Sequence, residues 1–242
     1  MTDPGRARAG RPRLAFVHDW LTGMRGGERV LEALLDLAPS APIYTLFHFP
    51  GSVSEKIEAH PIVSSLLQHV PGARRHYRRL LPLFPTAIDD FDFGSYDVIV
   101  STSHCVAKGA RRVPPAYHLC YCHTPMRYIW DQERAYFPNR RGPVARLRSR
   151  VLAELRRWDV ASAWRVDLFV ANSSFVAWRI ERYYGRRAEV VHPPVDVERY
   201  APAAERQGFC LAVSALAPYK RLDLAIAACD AAGRELVIVG DG

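Results

Sequence analysis

Long apolar runs are absent from this sequence of 242 residues. The longest, VDLFVA near residue 170 and ELVIV at 235–239, are far shorter than the ~20 residues that a membrane-spanning helix needs. The basic leader MTDPGRARAGRPR is followed by a short apolar stretch that runs straight into His18 and Asp19, which is not the pattern of a secretory signal. We therefore expect a cytoplasmic protein without a membrane span.

A disulfide framework is also absent. The five cysteines lie at positions 105, 120, 122, 210 and 229, which is typical of a reducing compartment. Two of them fall in CYCHTPMRYIWD at 120–131, but a structural zinc site normally needs a second ligand pair, and the sequence has none. A redox pair is disfavoured too, because a strand would hold Cys120 and Cys122 rigidly apart. We expect neither a metal nor a cofactor.

Lysine is scarce, since only three of the 33 basic residues are Lys. The arginines give a net charge of +8 and gather in three clusters, at residues 1–13, 72–79 and 138–157. A codon bias explains the choice of Arg over Lys but not the clustering. Such clusters suit a phosphate-rich partner, either nucleic acid or an anionic membrane face.

Apolar runs of strand length alternate with longer helical patterns, which predicts βαβ units and a parallel sheet. Helices are predicted over 27–38 and 143–165. The second is a basic amphipathic helix, and its predicted apolar stripe holds Val144, Leu147, Val151, Leu155 and Trp158. The strand candidates are 13–20, 42–47, 62–66, 96–103, 116–122, 167–173 and 188–192.

A polar, proline-bearing stretch at 196–207 predicts a linker between two domains. Residues 13–195 form a nearly complete Rossmann-like domain in this interpretation, and the alternation restarts in 208–242. There we expect strands 209–216 and 235–239 to pair in parallel across one helix. Because a Rossmann-type sheet usually needs about a hundred residues, the second domain is expected to be cut short.

Gly26 and Gly27 lie between the first strand and the first helix, in WLTGMRGGERV. Glycines there let backbone N–H groups approach an anion, and a helix N-terminus favours phosphate. A tight turn that serves only the path of the chain would use the same pair. Their position at the carboxyl edge of the first strand, where open α/β sheets bind ligands, favours the functional interpretation.

His123 leaves a predicted strand at its carboxyl end, just where Pro125 stops the strand from continuing. A histidine that serves the core would more often lie inside an element, so His123 is the better functional candidate of this segment. A polar and aromatic patch follows it directly, made of Arg127, Tyr128, Trp130 and Asp131.

Lys220 lies at or near the first turn of a predicted helix, in SALAPYKRLDLAI. A cation beside a helix N-terminus suits a diphosphate. Alone, it would be interpreted as a solvated lysine; together with the glycine pair it predicts a phosphate-binding role.

These motifs, in this order, resemble the family 4 glycosyltransferases of the two-Rossmann GT-B architecture. The resemblance covers about residues 13–242, and is closest to the bacterial mannosyltransferase-like branch of O-antigen and exopolysaccharide assembly. It rests on FVHDWLTGMRGGERV, YDVIVSTSHCVAKG, CHTPMRYIWD, DLFVANSSFVAWRI, VVHPPVDVERY and VSALAPYKRLDLAI.

The resemblance implies an α/β fold of GT-B type and transfer of a sugar from a GDP- or UDP-sugar, with retention and without a bound metal. It implies that Gly26 and Gly27 contact the donor diphosphate, that His123 lies near the transferred sugar, and that Lys220 neutralises the leaving phosphates. Fixed donors at those phosphates would stabilise the charge that develops in the transition state.

Two positions depart from the family pattern. Family members often carry an Arg five residues before the Lys, and here that residue is Ala215. The paired glutamates that usually bind the donor sugar and ribose should lie beyond residue 242. We therefore expect a fragment with little activity alone.

The first domain holds the acceptor side in this architecture, so its arginines suggest an acceptor on a lipid or glycan at an anionic membrane. Arg74, Arg75, Arg78 and Arg79 are predicted to face such a surface, with the protein peripheral on the inner face of the cell membrane. One alternative is a non-catalytic module that binds the acceptor or the membrane. Nucleic-acid binding is disfavoured, because no recognition motif accompanies the arginines.

Overall fold

The protein is described here from a computed structural model, which covers residues 12–137, 141–199, 201, 207–217 and 220–240. The chain divides into two compact units, Met1–Pro194 and Val195–Gly242. Each unit is built from parallel strands joined through helices, as the alternating pattern of the sequence predicts.

The first unit is built on a seven-stranded sheet in the order β3-β2-β1-β4-β5-β6-β7. Every neighbouring pair is parallel. The predicted strands are all present, namely β1 (Leu14–His18), β2 (Ile43–Thr45), β3 (Ile62–Ser64), β4 (Val98–Ser103), β5 (Tyr117–Cys122), β6 (Leu168–Ala171) and β7 (Ala188–Val190).

The strand order reverses between β1 and β4, which lie side by side with His18 opposite Thr102. From β1 the chain moves outward to β2 and β3, and then returns to place β4 on the other side of β1. In an open α/β sheet, a crevice opens at such a point outside the carboxyl ends of the strands, and ligands bind there.

Helices cover both faces of this sheet, because successive strand residues point to opposite sides. Ala15 and Val17 join one buried cluster, and Phe16 between them joins another. The helices of this unit are α1 (Gly26–Leu35), α2 (Glu55–Glu58), α3 (Ala73–His76), α4 (Phe84–Asp89), α5 (Glu133–Tyr136), α6 (Pro143–Ser162) and α7 (Ser174–Tyr184). Shorter 3₁₀ segments include Leu66–His69, Tyr77–Leu83 and Ala107–Gly109.

The first two turns of helix α6 differ from the prediction, because their apolar side chains are not buried. Val144 and Leu147 are 76% and 63% exposed, whereas Leu155 and Asp159 are buried. The buried face is rotated towards Asp159, which forms an ion pair with Lys108 Nζ at 3.0 Å and accepts a hydrogen bond from Trp130 Nε1 at 2.8 Å. A buried carboxylate with such partners is satisfied in the interior.

The second unit contains β8 (Cys210–Val213), α8 (Leu222–Ala231) and β9 (Leu236–Val239). The two strands pair in parallel, with Cys210 opposite Leu236. The expected pairing across one helix is therefore confirmed.

Within the described ranges, no helix combines the length and the apolar character that crossing a membrane requires.

Candidate functional site

Three histidines and a carboxylate lie close together at the carboxyl edge of the sheet. His18 ends β1 and Asp19 follows it, His104 follows β4, and His123 follows β5. The rings of His104 and His123 lie 6.5 Å apart between centroids. The reversal of strand order is what brings these residues together, although His18 and His104 are 86 positions apart in the sequence.

Asp19 fixes the loop after β4. Its Oδ2 accepts hydrogen bonds from the backbone N–H groups of His104 at 2.7 Å and Cys105 at 2.9 Å. Its Oδ1 accepts from those of Val106 at 2.7 Å and Ala107 at 2.8 Å. Full burial would raise the pKa of Asp19, but the charge of His104 and its hydrogen bonds to Asp19 outweigh burial and hold that pKa well below its usual value. The carboxylate is therefore ionised and holds His104 in place.

His18 and Glu28 form a second buried pair below the site. His18 Nδ1 lies 2.6 Å from Thr102 Oγ1, and its Nε2 lies 3.7 Å from Glu28 Oε1. Glu28 Oε2 also accepts a hydrogen bond from the Arg25 N–H at 3.0 Å, at the start of α1. Burial raises the pKa of Glu28, but the hydrogen bond and charge of His18 lower it below the ordinary value. This pair ties the N-terminus of α1 to the end of β1.

His123 is held by its backbone while its ring faces the site. Its N–H donates to the Ser103 carbonyl at 2.8 Å, and its carbonyl accepts from Asn172 Nδ2 at 3.0 Å. Burial, with the charges of His18 and His104, lowers the pKa of His123 to about 3, so the imidazole is neutral at neutral pH. Its Nε2 is buried and has no hydrogen-bond partner among the described residues. A buried polar atom without a partner is uncommon and indicates a place for a ligand or water.

Gly27 lies directly against that unpaired nitrogen. A Cβ atom at this position would lie 3.4 Å from His123 Nε2 and 3.6 Å from His18 Cε1, whereas one at Gly26 would meet nothing within 4 Å. The absence of a side chain at Gly27 therefore leaves space above the His123 ring at the N-terminus of α1. Both predicted glycines lie in the first turn of this helix.

Cys120 and Cys122 lie on the opposite face of β5 from His123. Both thiols are free and buried in one apolar cluster, as the strand spacing predicts. Burial raises the pKa of Cys120 to about 12 and also raises that of Cys122. In the part of the chain that the structure describes, no group of three or more metal-ligating side chains is found.

The predicted patch after His123 is divided between surface and packing roles. Arg127 is exposed, and Tyr128 is half-buried against the core. Trp130 stacks on Tyr183 with centroids 4.5 Å apart. Asp131 forms an ion pair with Arg179 and accepts a hydrogen bond from the Tyr183 hydroxyl. The structure thus places Trp130 and Asp131 against α7, and their predicted part on the acceptor side stays a prediction.

Two other predicted groups are exposed, one in each unit. Arg74, Arg75, Arg78 and Arg79 are all exposed, on α3 and the 3₁₀ segment Tyr77–Leu83. Lys220 is exposed in the second unit, two residues before α8, and its N–H donates to the Ala217 carbonyl at 2.9 Å. Ala215 lies in the loop between β8 and α8.

The residues that sequence reasoning did not single out for this site are His18, Asp19, Glu28 and His104. His104 follows the rule that identified His123, since it comes directly after the predicted strand 96–103, whereas His18 and Asp19 lie within the last residues of the predicted strand 13–20. Only the adjacency of β1 and β4 shows that they meet. Glu28 gave no such signal, because Arg25, three residues before it, is not one of the side chains that open a capping box.

Sequence comparison assigns the family. The family described as Glycosyltransferase Family 4 matches residues 24–199, which is more than half of the chain and includes Gly26, Gly27, His104 and His123. The chain belongs to glycosyltransferase family 4. No curated protein matches it.

Two solved structures show the same fold. Alr3699/HepE of Anabaena, in complex with UDP and glucose, has a TM-score of 0.60 at 16% identity, and the match covers 96% of this chain and 61% of that one. The same protein in complex with UDP has a TM-score of 0.54 at 13% identity, over 95% of this chain and 69% of that one. This chain thus spans about three fifths of the length of the first of these. The expected α/β fold of GT-B type is confirmed.

Proposed function

We propose that this protein is a retaining glycosyltransferase that moves a hexose, with mannose favoured, from a nucleotide sugar to a glycan or lipid-linked acceptor in polysaccharide biosynthesis. Membership of family 4 supports glycosyl transfer, and the UDP and glucose bound by the similar Anabaena structure support a nucleotide-sugar donor. We further propose that the acceptor belongs to O-antigen, lipopolysaccharide or exopolysaccharide assembly.

The observation that carries this proposal is the unpaired Nε2 of His123 beside Gly27. Because its ring is neutral, this histidine can make a hydrogen bond to a hydroxyl of a sugar without placing a positive charge beside the anomeric carbon. Positive charge develops on that carbon as the bond to the nucleotide breaks, so a neutral ring avoids a repulsion in the transition state.

The leaving nucleotide needs the opposite environment, because negative charge develops on its phosphates. We propose that the first turn of α1, at Gly26 and Gly27, contributes backbone N–H groups and the positive end of the helix dipole to the diphosphate. Lys220 in the second unit is proposed to neutralise the leaving phosphates. No metal and no cofactor are required in this scheme.

The proposed location follows from the acceptor. A protein that receives its acceptor from a lipid works at a membrane surface, so we propose a cytoplasmic protein that is peripheral on the inner face of the cell membrane. The four exposed arginines of the α3 region would contact anionic lipid headgroups there.

The test is release of nucleotide and transfer of sugar by the purified protein, with GDP-mannose and UDP-glucose as donors and bacterial membrane lipids as acceptors. We expect GDP or UDP release that depends on acceptor, with the α-configuration of the donor kept in the product by NMR. His123→Ala should lower turnover by at least about 100-fold, the size of a lost positioned polar group at the reacting centre, with little change in the urea midpoint.

The matched control is His69→Ala, which removes an exposed histidine from the segment Leu66–His69 in the same unit. It should keep normal turnover. Absence of nucleotide release with every donor, or equal turnover in His123→Ala and His69→Ala, would contradict the proposal.

Cys120→Ser and Cys122→Ser should retain most of the activity. Loss of activity on chelation would instead favour a metal site at these cysteines.

A further inference from the structure

An apolar cavity of about 390 Å³ lies apart from the histidine site in the first unit. Its walls come from α6, from the 3₁₀ segment Tyr77–Leu83, and from residues that follow β5. Leu81, Phe84, Leu152 and Leu155 supply apolar surface to it. The volume falls within the roughly 300–1,000 Å³ of pockets that bind small molecules.

The cavity is apolar inside and positively charged at its lining arginines, which are Arg78, Arg79 and Arg148. Among the described residues that line it there is no Asp or Glu. Within the described part of the chain, neither Arg78 nor Arg79 forms an ion pair, and both are exposed. The Arg148 guanidinium lies over the Phe137 ring at 5.2 Å from its centroid, and that of Arg78 over the Tyr77 ring at 5.3 Å. This combination is complementary to an anionic group attached to an apolar body.

A single aromatic residue connects the cavity to the histidine site. Trp20 lines the cavity, and its ring meets His104 edge to face with centroids 4.5 Å apart. Trp20 itself is only 4% exposed and directly follows Asp19. A ligand in the cavity would therefore lie one aromatic ring away from the proposed reacting centre.

An apolar stripe on α6 leads from the cavity to the surface. Leu155 is buried in the cavity wall, Val151 one turn earlier is half-buried there, and Val144 and Leu147 beyond it are exposed. These side chains lie three or four residues apart and share one side of the helix. A chain too long for the cavity could thus continue along apolar surface.

We propose that this cavity binds the first part of the hydrocarbon chain of a lipid phosphate, and that Arg78, Arg79 and Arg148 hold its phosphate. In the context of the proposed function, that lipid phosphate is the carrier of the acceptor. The role as an acceptor site rests on the proposed glycosyl transfer, whereas the binding itself does not.

The probe is farnesyl phosphate, a short isoprenoid phosphate, used below its aggregation concentration, with binding measured by calorimetry. We expect saturable binding that is at least about tenfold tighter than that of farnesol and of inorganic phosphate, because each lacks one of the two complementary parts. Arg78→Gln with Arg79→Gln should weaken farnesyl phosphate binding by roughly tenfold or more and leave farnesol binding unchanged.

Two further variants distinguish binding in the cavity from non-specific attraction of the phosphate to exposed arginines. Val151→Trp places a bulky ring at the half-buried rim and should weaken both farnesyl phosphate and farnesol. Arg150→Gln is the matched control, because Arg150 is exposed on α6 but does not line the cavity, and it should bind the probe normally. Equal binding of farnesyl phosphate and farnesol, an equal loss in Arg150→Gln, or no loss in Val151→Trp would overturn the proposal.

The two proposals fail separately. Farnesyl phosphate binding without any sugar transfer would overturn the proposed function and keep the cavity assignment. Sugar transfer to lipid acceptors without farnesyl phosphate binding would overturn the cavity assignment and keep the proposed function.

Discussion

Gly27 is the residue whose single missing methyl group shapes the histidine site most directly. Its backbone does not require glycine, because no left-handed conformation occurs there. The protein atoms around it would also tolerate a Cβ, since the contacts at 3.4 Å and 3.6 Å are ordinary van der Waals distances. Stability therefore gives no reason for glycine in this helix turn, but access to His123 Nε2 does.

We predict that Gly27→Ala separates stability from activity. The free energy of unfolding should stay the same or rise by up to about 1 kcal/mol, because alanine is the better helix former. Turnover should fall at least tenfold in the transfer assay, since the new methyl group covers the nitrogen that the sugar would contact. Urea unfolding and initial rates measure the two effects.

Arg29→Ala serves as the control for this helix, because Arg29 is exposed two residues after Gly27 and, among the described residues, forms an ion pair with Glu32 at 3.0 Å. It should leave turnover unchanged. Normal turnover in Gly27→Ala would show that the space above His123 is not used by a substrate.

Residues of the site were predictable only where their signal was local. His123 and the glycine pair stand at visible ends of predicted elements. Asp19 has no local signal of its role, because its four hydrogen-bond donors lie 85 to 88 positions away. That role depends on the order of the strands in the sheet, which the sequence pattern does not give.

At the scale of elements, strands were predicted well because their apolar runs have strand length and are bounded by polar residues. The region from 66 to 89 was missed, since it consists of helical pieces that are each too short to show a clear period. The apolar stripe of α6 was predicted correctly at Val151, Leu155 and Trp158, which lie in or against the core, and wrongly at Val144 and Leu147, which are exposed. Asp159 was also missed as a buried residue of this helix. A periodic pattern counts Asp159 as a polar surface residue, and only Lys108, Trp130 and Tyr184 make it an interior one.

The exposed arginines of α3 and the following 3₁₀ segment carry a prediction of their own. Charge reversal of Arg74, Arg75, Arg78 and Arg79 to Glu should abolish sedimentation with anionic vesicles, because each arginine near such a surface contributes about 1 kcal/mol. Binding of the unaltered protein to neutral vesicles should be much weaker and should not depend on salt.

A matched pair of double variants tests whether position matters. Arg74→Glu with Arg75→Glu should weaken vesicle binding more than Arg182→Glu with Arg187→Glu, which reverses the same charge on exposed residues of the α7 region. Equal losses, or equal binding to neutral and anionic vesicles, would leave the arginines of α3 as a solvated surface.

For the whole molecule, buried histidines set the response of stability to acid. Burial lowers the pKa of His118 to about 4, against 6.5 for an ordinary histidine. Its ring is satisfied when neutral, because Nδ1 lies 3.2 Å from the Arg165 carbonyl and Nε2 lies 2.8 Å from Ser101 Oγ. The unfolded chain therefore binds more protons than the folded one between these two values.

The contribution of neutral His118 to the free energy of unfolding is fully present above about pH 6.5. It decreases as the pH falls towards 4. We predict that this group alone removes about 2–3 kcal/mol of unfolding free energy between pH 7 and pH 4.5. The lowered pKa values of Asp19 and Glu28 act in the same direction but at lower pH, because the contribution of a carboxylate is lost below the ordinary carboxyl pKa of about 4. Urea unfolding between pH 7 and pH 4.5 therefore measures mainly the contribution of the buried histidines.

His118→Gln removes the contribution of His118 to this pH dependence, since glutamine does not titrate. The variant should show a shallower fall in stability between pH 7 and pH 4.5, whatever its stability at pH 7. An unchanged slope would show that His118 is not neutral and buried in the folded protein.

The hydrogen bonds between Asp19 and the loop after β4 determine whether that loop can bind a phosphate group. Four converging backbone N–H groups form a host for an anion, of the kind that holds phosphate in many proteins. Here the Asp19 carboxylate already occupies this anion site. Because it is attached to the neighbouring strand, it is present at a high effective concentration. A free phosphate group would have to displace it and would lose that competition. We therefore expect the loop after β4 to be closed to a donor phosphate, which would leave the glycine turn at α1 for the diphosphate of the proposed donor.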